Sequence, residues 1–305
     1  MKDIIIIGGG IAGLTAGMYA KRAGMETILF EKLFPGGQAA TTFSIENYPG
    51  FVEPISGPDF SMKLEEHARK FGLEILYDGV DEIIIDGNIK KVVTDGGTYE
   101  TKTILLATGA SPKELGLEKE EQFRGRGVSY CATCDGTFYK DKVTAVVGGG
   151  DTALEDAFFL AQYASKVYLI HRRDEFRGLK ILQDRVLKHE KIEVLWDTVV
   201  ESITGEEQVE GIGVRNVKTG QTTELSLDGF FIAIGITPNS ELAKGKLNMT
   251  PDGFIIGDES MNTNVSGVFA VGDVRYKPVW QLVTAASDGA VGTLSAQRYI
   301  MEHFE

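Results

Sequence analysis

Residues 3–13 read DIIIIGGGIAG, and this stretch decides the fold. The four isoleucines predict a buried parallel strand, and Gly8, Gly10 and Gly13 have the GxGxxG spacing of a dinucleotide-binding turn. In such a turn Gly8 allows the bend, Gly10 lets a pyrophosphate approach the backbone, and Gly13 lets the next helix, predicted at 14–23, pack closely. Because GxGxxG alone is weak evidence, the neighbouring residues decide its meaning.

The strand predicted at 26–30 supports the dinucleotide interpretation because an acid, Glu31, follows it. A carboxylate there accepts hydrogen bonds from a ribose diol and repels a 2′-phosphate, which favours FAD or NAD over NADP. Two loops rich in turn residues come next and contain Gln38 and Asn47. Their amides either bond a flavin edge or serve only as capping and turn residues.

A second fingerprint, GGGDTA at 148–153, follows a strand predicted at 143–147. The matching strand, 167–170, precedes HRRDEFR at 171–177, so arginines stand where the first unit has an acid. Guanidinium groups fork onto a phosphate, which predicts NADP here; the alternative is a solvated basic patch. Each half runs from a glycine turn through a meander to a strand ending in Gly, an internal repeat of about 130 residues.

The stretch Cys131-Ala132-Thr133-Cys134-Asp135 holds both cysteines of the chain and precedes the second fingerprint. Two thiols in a CxxC spacing can close a disulfide, take up two electrons and exchange with another disulfide. A zinc or iron–sulfur site needs about four ligands. No further cysteine exists and the four histidines show no ligand spacing, so redox chemistry is the better interpretation.

The composition is that of a globular α/β protein: 305 residues, 43% hydrophobic and 25% charged, with 37 glycines and eight prolines. The net charge of −13 argues against nucleic acid and against an anionic membrane surface. No apolar run is long enough to span a membrane, and no signal sequence precedes the first strand, so a cytoplasmic location is expected. A domain boundary is predicted near 112–117 and a return linker at 238–247.

The motifs GGQ (36–38), ENYPG (46–50), LLATGA (105–110), GVSYCATCDG (127–136), GGGDTA, HRRDEFR and GVFAVGD (267–273) occur in this order. The chain thereby resembles the low-molecular-weight thioredoxin reductases, flavoprotein disulfide reductases with two dinucleotide-binding domains. The resemblance implies an α/β homodimer in which two Rossmann-like, three-layer domains are present, one inserted into the other. Residues 1–112 and 245–305 would form the FAD-binding domain, and residues 113–244 an NADPH-binding domain that carries the dithiol.

The resemblance also implies the ligand contacts, which are carried over by motif. FAD would contact Gly8, Gly10, Gly13, Glu31, Gly36, Gly37, Gln38, Asn47, the backbone near Val80, Gly109, Gly272, Asp273, Gln281 and Leu282. NADPH would contact Gly150, Asp151, Thr152, Arg172, Arg173 and Arg177, with Glu155 toward the nicotinamide.

The implied reaction passes electrons from NADPH to the flavin, then to the Cys131–Cys134 disulfide, then to oxidised thioredoxin or a thioredoxin-like protein. By resemblance Cys134 lies against the flavin and Cys131 attacks the partner disulfide. Asp135 would supply or accept the proton, and its alternative role is a helix N-cap. One flavin face must serve both the dithiol and the nicotinamide, so members of the family rotate the NADPH domain on two linkers, here near 112–117 and 240–246.

Two departures from the family pattern concern ligand and partner binding. Thr137-Phe138 stands where many members have two aromatic residues, and Trp280-Gln281 replaces the usual Arg-Gln. An indole can stack on a flavin but makes no guanidinium contacts. Two alternatives stay open: a ferredoxin-dependent flavin thioredoxin reductase with a vestigial NADPH site, and a nucleotide-binding redox sensor.

Overall fold

A computed structural model describes residues 1–42 and 45–304 of the chain. The polypeptide divides into two compact units. Unit 1 consists of Met1–Ser111 and Thr237–Glu305, and unit 2 consists of Pro112–Ile236. The chain therefore leaves unit 1 once and returns to it once, as an inserted domain requires.

The first segment of unit 1 alternates strands and helices and then forms a meander. Its elements are β1 (Lys2–Ile7), α1 (Ile11–Arg22), β2 (Thr27–Glu31), α2 (Gly57–Lys70), β3 (Glu74–Tyr77), β4 (Val80–Ile84), β5 (Lys90–Thr94), β6 (Gly97–Leu106) and, at the crossing into unit 2, β7 (Ala110–Pro112).

Unit 2 repeats this pattern with shorter helices. Its elements are β8 (Val128–Ser129), α3 (Ala132–Asp135), β9 (Val143–Gly148), α4 (Asp151–Leu160), β10 (Lys166–Ile170), α5 (Lys180–Leu187), β11 (Ile192–Leu195), β12 (Thr198–Thr204), β13 (Gly211–Asn216), β14 (Thr222–Ser226), β15 (Gly229–Ala233) and, at the return crossing, β16 (Ile236–Pro238). The second segment of unit 1 adds β17 (Val268–Ala270) and α6 (Leu282–Phe304).

The sheet of unit 1 has the strand order β3-β2-β1-β6-β5-β4, and β17 pairs with β6. Strands β3, β2, β1, β6 and β17 are parallel, whereas β4, β5 and the first half of β6 form an antiparallel meander. The isoleucines at 4, 5 and 6 are fully buried, as expected of a central parallel strand covered on both faces. The predicted strand–turn–helix is confirmed.

Small residues allow α1 and α6 to pack closely in unit 1. A Cβ added at Gly289 of α6 would lie 2.2 Å from the carbonyl oxygen of Ala12, and Thr293 donates its hydroxyl hydrogen to the carbonyl of Ala16 at 3.1 Å. Helix α6 runs for 23 residues.

Unit 2 contains a parallel sheet with the order β11-β10-β9-β15-β8 and a separate antiparallel sheet, β12-β13-β14. The predicted α/β class and the internal repeat are both confirmed, because each unit combines a parallel sheet with a three-stranded meander. Among residues 1–42 and 45–304, no helix is both long and apolar enough to cross a membrane.

Candidate functional site

The glycine turn of unit 1 is packed against the neighbouring strand on one side and open on the other. A Cβ at Gly8 would lie 2.4 Å from the carbonyl oxygen of Ala107, and one at Gly13 would lie 1.9 Å from the carbonyl oxygen of Gly8. A Cβ at Gly10 would meet nothing within 4 Å. The turn is thus closed where the strand and helix meet, and it leaves space at the start of α1, where backbone N–H groups can bind an anion.

Glu31 and the GGQ turn at 36–38 lie next to the first glycine turn. The Glu31 carboxylate accepts hydrogen bonds from the N–H groups of Gly9 at 2.7 Å and Leu33 at 2.9 Å. Gly36 donates its N–H to the carbonyl of Gly9 at 2.8 Å, which brings the predicted GGQ turn onto the first turn. A carboxylate has about four acceptor positions, so Glu31 can still accept hydrogen bonds from ribose hydroxyls.

Two amides that are distant in sequence meet in unit 1. Asn47 donates a hydrogen bond from Nδ2 to Oε1 of Gln281 at 3.1 Å. Leu282 begins α6 and packs against the apolar cluster that contains Ile11 and Ala12. The structure therefore brings the predicted residues at 47, 281 and 282 to the same unit as the glycine turn.

The other predicted residues of this set occupy loops and strand ends of unit 1. Gln38 is exposed and accepts hydrogen bonds at its carbonyl from Thr41 and Thr42. Gly37 adjoins Gly10, because a Cβ on Gly37 would lie 3.2 Å from the Cα of Gly10. Gly109 follows β6, and Gly272 follows β17. Val80 is the first residue of β4.

Asp273 is a half-buried carboxylate shortly after β17. Its Oδ1 forms an ion pair with Nζ of Lys277 at 3.0 Å. Burial raises the pKa of Asp273, and Lys277 lowers it. Lys277 is also held by Asp288, whose Oδ2 accepts the N–H of Gly272 at 3.0 Å. A carboxylate in this state fits a ligand that brings hydroxyl donors, such as the sugar chain of a flavin.

The glycine turn of unit 2 repeats the geometry of unit 1. A Cβ at Gly148 would lie 2.4 Å from the carbonyl oxygen of Ala233, while one at Gly150 would meet nothing within 4 Å. Asp151 accepts the N–H of Leu179 at 2.6 Å, so it holds the loop that follows the arginine motif. Thr152 and Glu155 are exposed on α4.

The position equivalent to Glu31 is occupied by His171, which corrects the prediction that an arginine stands there. Ile7 pairs with Phe30 in unit 1 and Val147 pairs with Ile170 in unit 2, so Glu31 and His171, the residues that follow these partners, are equivalent. His171 is 5% exposed, and its Nδ1 lies 2.9 Å from the carbonyl oxygen of Gly148. A carbonyl only accepts, so Nδ1 carries a hydrogen. Burial lowers the pKa of His171, which favours the neutral ring. Because a histidine and not a carboxylate occupies this position, no negative charge repels a phosphate here.

The arginines beside this histidine are available to a ligand. Arg172, Arg173 and Arg177 are exposed, and none forms an ion pair or side-chain hydrogen bond with a residue of the described ranges. The backbone N–H of Arg177 binds the carbonyl of Gly149 at 2.8 Å, which fixes the loop against the glycine turn. Three unpaired guanidinium groups at the end of a parallel strand suit a 2′-phosphate.

The two cysteines form a disulfide in unit 2. Sγ of Cys131 and Sγ of Cys134 are 2.03 Å apart, at the start of the four-residue helix α3. Ala132 is fully buried, whereas both cysteines are partly exposed. The buried alanine anchors the turn, and the disulfide remains accessible to an attacking thiolate.

Asp135 directly follows Cys134 of the disulfide and is partly buried. Its Oδ2 accepts a hydrogen bond from the Ser129 hydroxyl at 2.6 Å, and its Oδ1 is buried with no hydrogen-bond partner in the described part of the chain. Burial raises the pKa of Asp135, and the bond from Ser129 lowers it. Asp135 occupies the N-cap position of the short helix Gly136–Tyr139, but its side chain makes no capping hydrogen bond. Ser129 and His171 lie within the quoted motifs, but their roles depend on contacts that the sequence does not show.

Comparison with known proteins gives consistent matches over almost the whole chain. A family profile described as pyridine nucleotide-disulphide oxidoreductase matches residues 2–290. The chain is 43% identical to a thioredoxin reductase of Peptoclostridium acidaminophilum, with 99% of this chain and 98% of the relative covered. It is 45% identical to a thioredoxin reductase of Listeria monocytogenes, with 98% and 94% covered. A crystal structure of thioredoxin reductase from Streptococcus pyogenes, 44% identical, superposes with a TM-score of 0.94 and covers 99% of each chain.

Proposed function

The chain belongs to the pyridine nucleotide-disulphide oxidoreductase family, and from that premise we propose that it is an NADPH-dependent thioredoxin reductase that uses FAD. One observation carries the proposal. The only two cysteines of the chain form a partly exposed disulfide directly before the second of two dinucleotide turns. The curated relatives named thioredoxin reductase support the choice of substrate.

FAD is assigned to unit 1 and NADPH to unit 2. The open space at Gly10 and the carboxylates of Glu31 and Asp273 suit the pyrophosphate and hydroxyl groups of FAD. The neutral His171 and the unpaired arginines that follow it suit a 2′-phosphate. The remaining ligand contacts predicted from the sequence are proposed with them.

FAD held at the Gly8–Gly13 turn and Glu31 would supply two-electron transfer between NADPH and the disulfide. The chain's own residues then perform the exchange. The Cys131 thiolate attacks one sulfur of the substrate disulfide and expels the other as a thiolate, which leaves a mixed disulfide. The Cys134 thiolate attacks Sγ of Cys131, releases the second substrate thiolate and restores the Cys131–Cys134 bond.

Asp135 supplies the proton that a departing thiolate needs. A carboxyl with a raised pKa holds its proton closer to neutral pH than an exposed aspartate does, which suits a general acid. The Ser129 hydroxyl orients this carboxyl through Oδ2, so the free Oδ1 is available to the reacting sulfur.

The partner and the setting are also proposed. We infer a homodimer from the family resemblance, thioredoxin or a thioredoxin-like protein as the substrate, and a cytoplasmic location because transient catalytic disulfides are typical of reducing compartments. The net charge of −13 supports the absence of nucleic-acid binding.

Anaerobic titration of the purified holoenzyme tests the proposal against its alternatives. NADPH should bleach the flavin, and oxidised thioredoxin should restore the colour with continuous turnover. Bleaching by reduced ferredoxin but not by NADPH would favour the ferredoxin-dependent alternative, which the unpaired arginines argue against. A single reduction without continuing NADPH consumption would favour a redox sensor.

A further inference from the structure

A buried carboxylate, Glu120, accepts hydrogen bonds both from the first residues of unit 2 and from the residue that precedes the dithiol. Glu120 is 3% exposed. Its Oε1 accepts the N–H of Leu115 at 3.0 Å, and its Oε2 accepts the N–H of Leu117 at 3.1 Å. These two donors belong to the segment by which the chain enters unit 2. Because a buried carboxylate is costly unless its acceptors are used, this arrangement fixes the segment.

The third donor to Glu120 is the residue that precedes the dithiol. Tyr130 donates its hydroxyl hydrogen to Oε1 of Glu120 at 2.7 Å. The guanidinium carbon of Arg124 lies 4.9 Å from the centre of the Tyr130 ring. Burial raises the pKa of Tyr130, and the bond to Glu120 raises it further, so the hydroxyl keeps its hydrogen and remains a donor.

The backbone on either side of Tyr130 is also held. Ser129 pairs with Phe231 in the parallel sheet, and its hydroxyl oxygen accepts the N–H of Cys131 at 3.1 Å. Main-chain pairing and the Ser129 hydroxyl thus hold the segment from the strand side, and the Tyr130–Glu120 bond ties it to the segment that enters unit 2.

We propose that Glu120 and Tyr130 are positioning residues for the redox dithiol, which hold Cys131 at the distance and orientation that favour its bond to Cys134. The same carboxylate binds the segment entering unit 2, so a change in that segment alters the geometry of the dithiol. This inference rests on the proposed redox function of the pair, but the glutathione equilibrium that tests it requires neither cofactor nor substrate.

The test is the equilibrium of the cysteine pair with glutathione redox buffers. Tyr130→Phe removes one hydrogen bond to a charged group, and Glu120→Gln replaces an acceptor by a donor that faces a backbone N–H. Each should lower the equilibrium constant for forming the Cys131–Cys134 disulfide roughly tenfold, because positioning raises the effective concentration of one thiol near the other. Tenfold corresponds to about 1.4 kcal/mol. Since the chain has two cysteines, the number of alkylated thiols measures the equilibrium directly.

Tyr77→Phe is the matched control, because the Tyr77 hydroxyl donates to Oε1 of Glu65 at 3.2 Å in unit 1 and is exposed. It should leave the equilibrium constant unchanged. The inference is overturned if both unit 2 variants stay within twofold of the unmodified protein, or if the control shifts as much. It is also overturned if Tyr130→Phe slows flavin bleaching by NADPH together with disulfide exchange, since that indicates a general loss of structure. A protein that equilibrates as expected but reduces no thioredoxin would refute the proposed function alone.

Discussion

Replacing Arg172 and Arg173 together by alanine should convert a preference for NADPH into indifference between NADPH and NADH. Both side chains are exposed and make no ion pair with the described residues, so their removal breaks no internal contact. Any change in dinucleotide affinity then reports on the ligand. The fold and the flavin content should be unaffected, because the residues belong to a loop after β10.

The size of the effect follows from the hydrogen bonds that the two guanidinium groups would donate to the 2′-phosphate. A hydrogen bond to a charged group contributes about 1.5–3 kcal/mol, and exposure to solvent favours the lower end. Two such bonds give roughly 3 kcal/mol, which is about a hundredfold in KM for NADPH. NADH has no 2′-phosphate, so its KM should change less than about threefold.

Steady-state kinetics with both dinucleotides and a saturating disulfide substrate measure this prediction. Arg215→Ala is the control in the same unit, because Arg215 is already paired with Glu201 at 2.6 Å. It should leave both KM values unchanged. Equal increases in the KM values for NADPH and NADH, or no increase in either, would refute the assignment of the arginines to the 2′-phosphate.

Three further substitutions test other parts of the account. Asp135→Asn should lower kcat for disulfide reduction about a hundredfold and leave flavin reduction by NADPH intact, as stopped-flow absorbance would show; equal loss in both steps would exclude its role as the acid. Gly10→Ala should weaken FAD binding at least tenfold, measured by flavin fluorescence, without lowering the unfolding free energy of the apoprotein, because a Cβ there meets nothing within 4 Å. Burial raises the pKa of Asp156 to about 7. The folded protein therefore keeps a proton that the unfolded chain releases above about pH 4. The free energy of unfolding consequently falls as the pH rises from about 4 to 7. Asp156→Asn should therefore gain up to about 4 kcal/mol over the unmodified protein in urea unfolding at pH 8 and nothing at pH 4; parallel profiles would contradict the buried carboxyl.

The parts of the fold that the sequence predicts are those with strong local signals. Four consecutive isoleucines followed by glycines predict β1 and its turn, because burial on both faces and a close backbone approach need those residue types. Strands β12 and β14 were missed, since neither shows a clean alternation: β14 has no fully buried residue. Helix α5 was missed for the same reason, because Val186 is its only fully buried residue.

The site divides in the same way. The glycine turns, the dithiol and the arginine motif are contiguous in sequence, so spacing alone identifies them. His171 was overlooked as the equivalent of Glu31 because strand register, not motif length, decides which residue follows the strand. The Asn47–Gln281 bond joins residues 234 positions apart, and only the resemblance to a known family anticipated that both would serve one ligand.

The central claim is that electrons from NADPH reach one pair of sulfurs through FAD, and counting thiols measures this most directly. The oxidised protein should contain no titratable thiol. After anaerobic mixing with NADPH, two thiols per chain should appear, at Cys131 and Cys134, and only when FAD is bound. A flavin that NADPH reduces while the thiol count stays at zero, or thiols that appear equally well without FAD, would contradict the account.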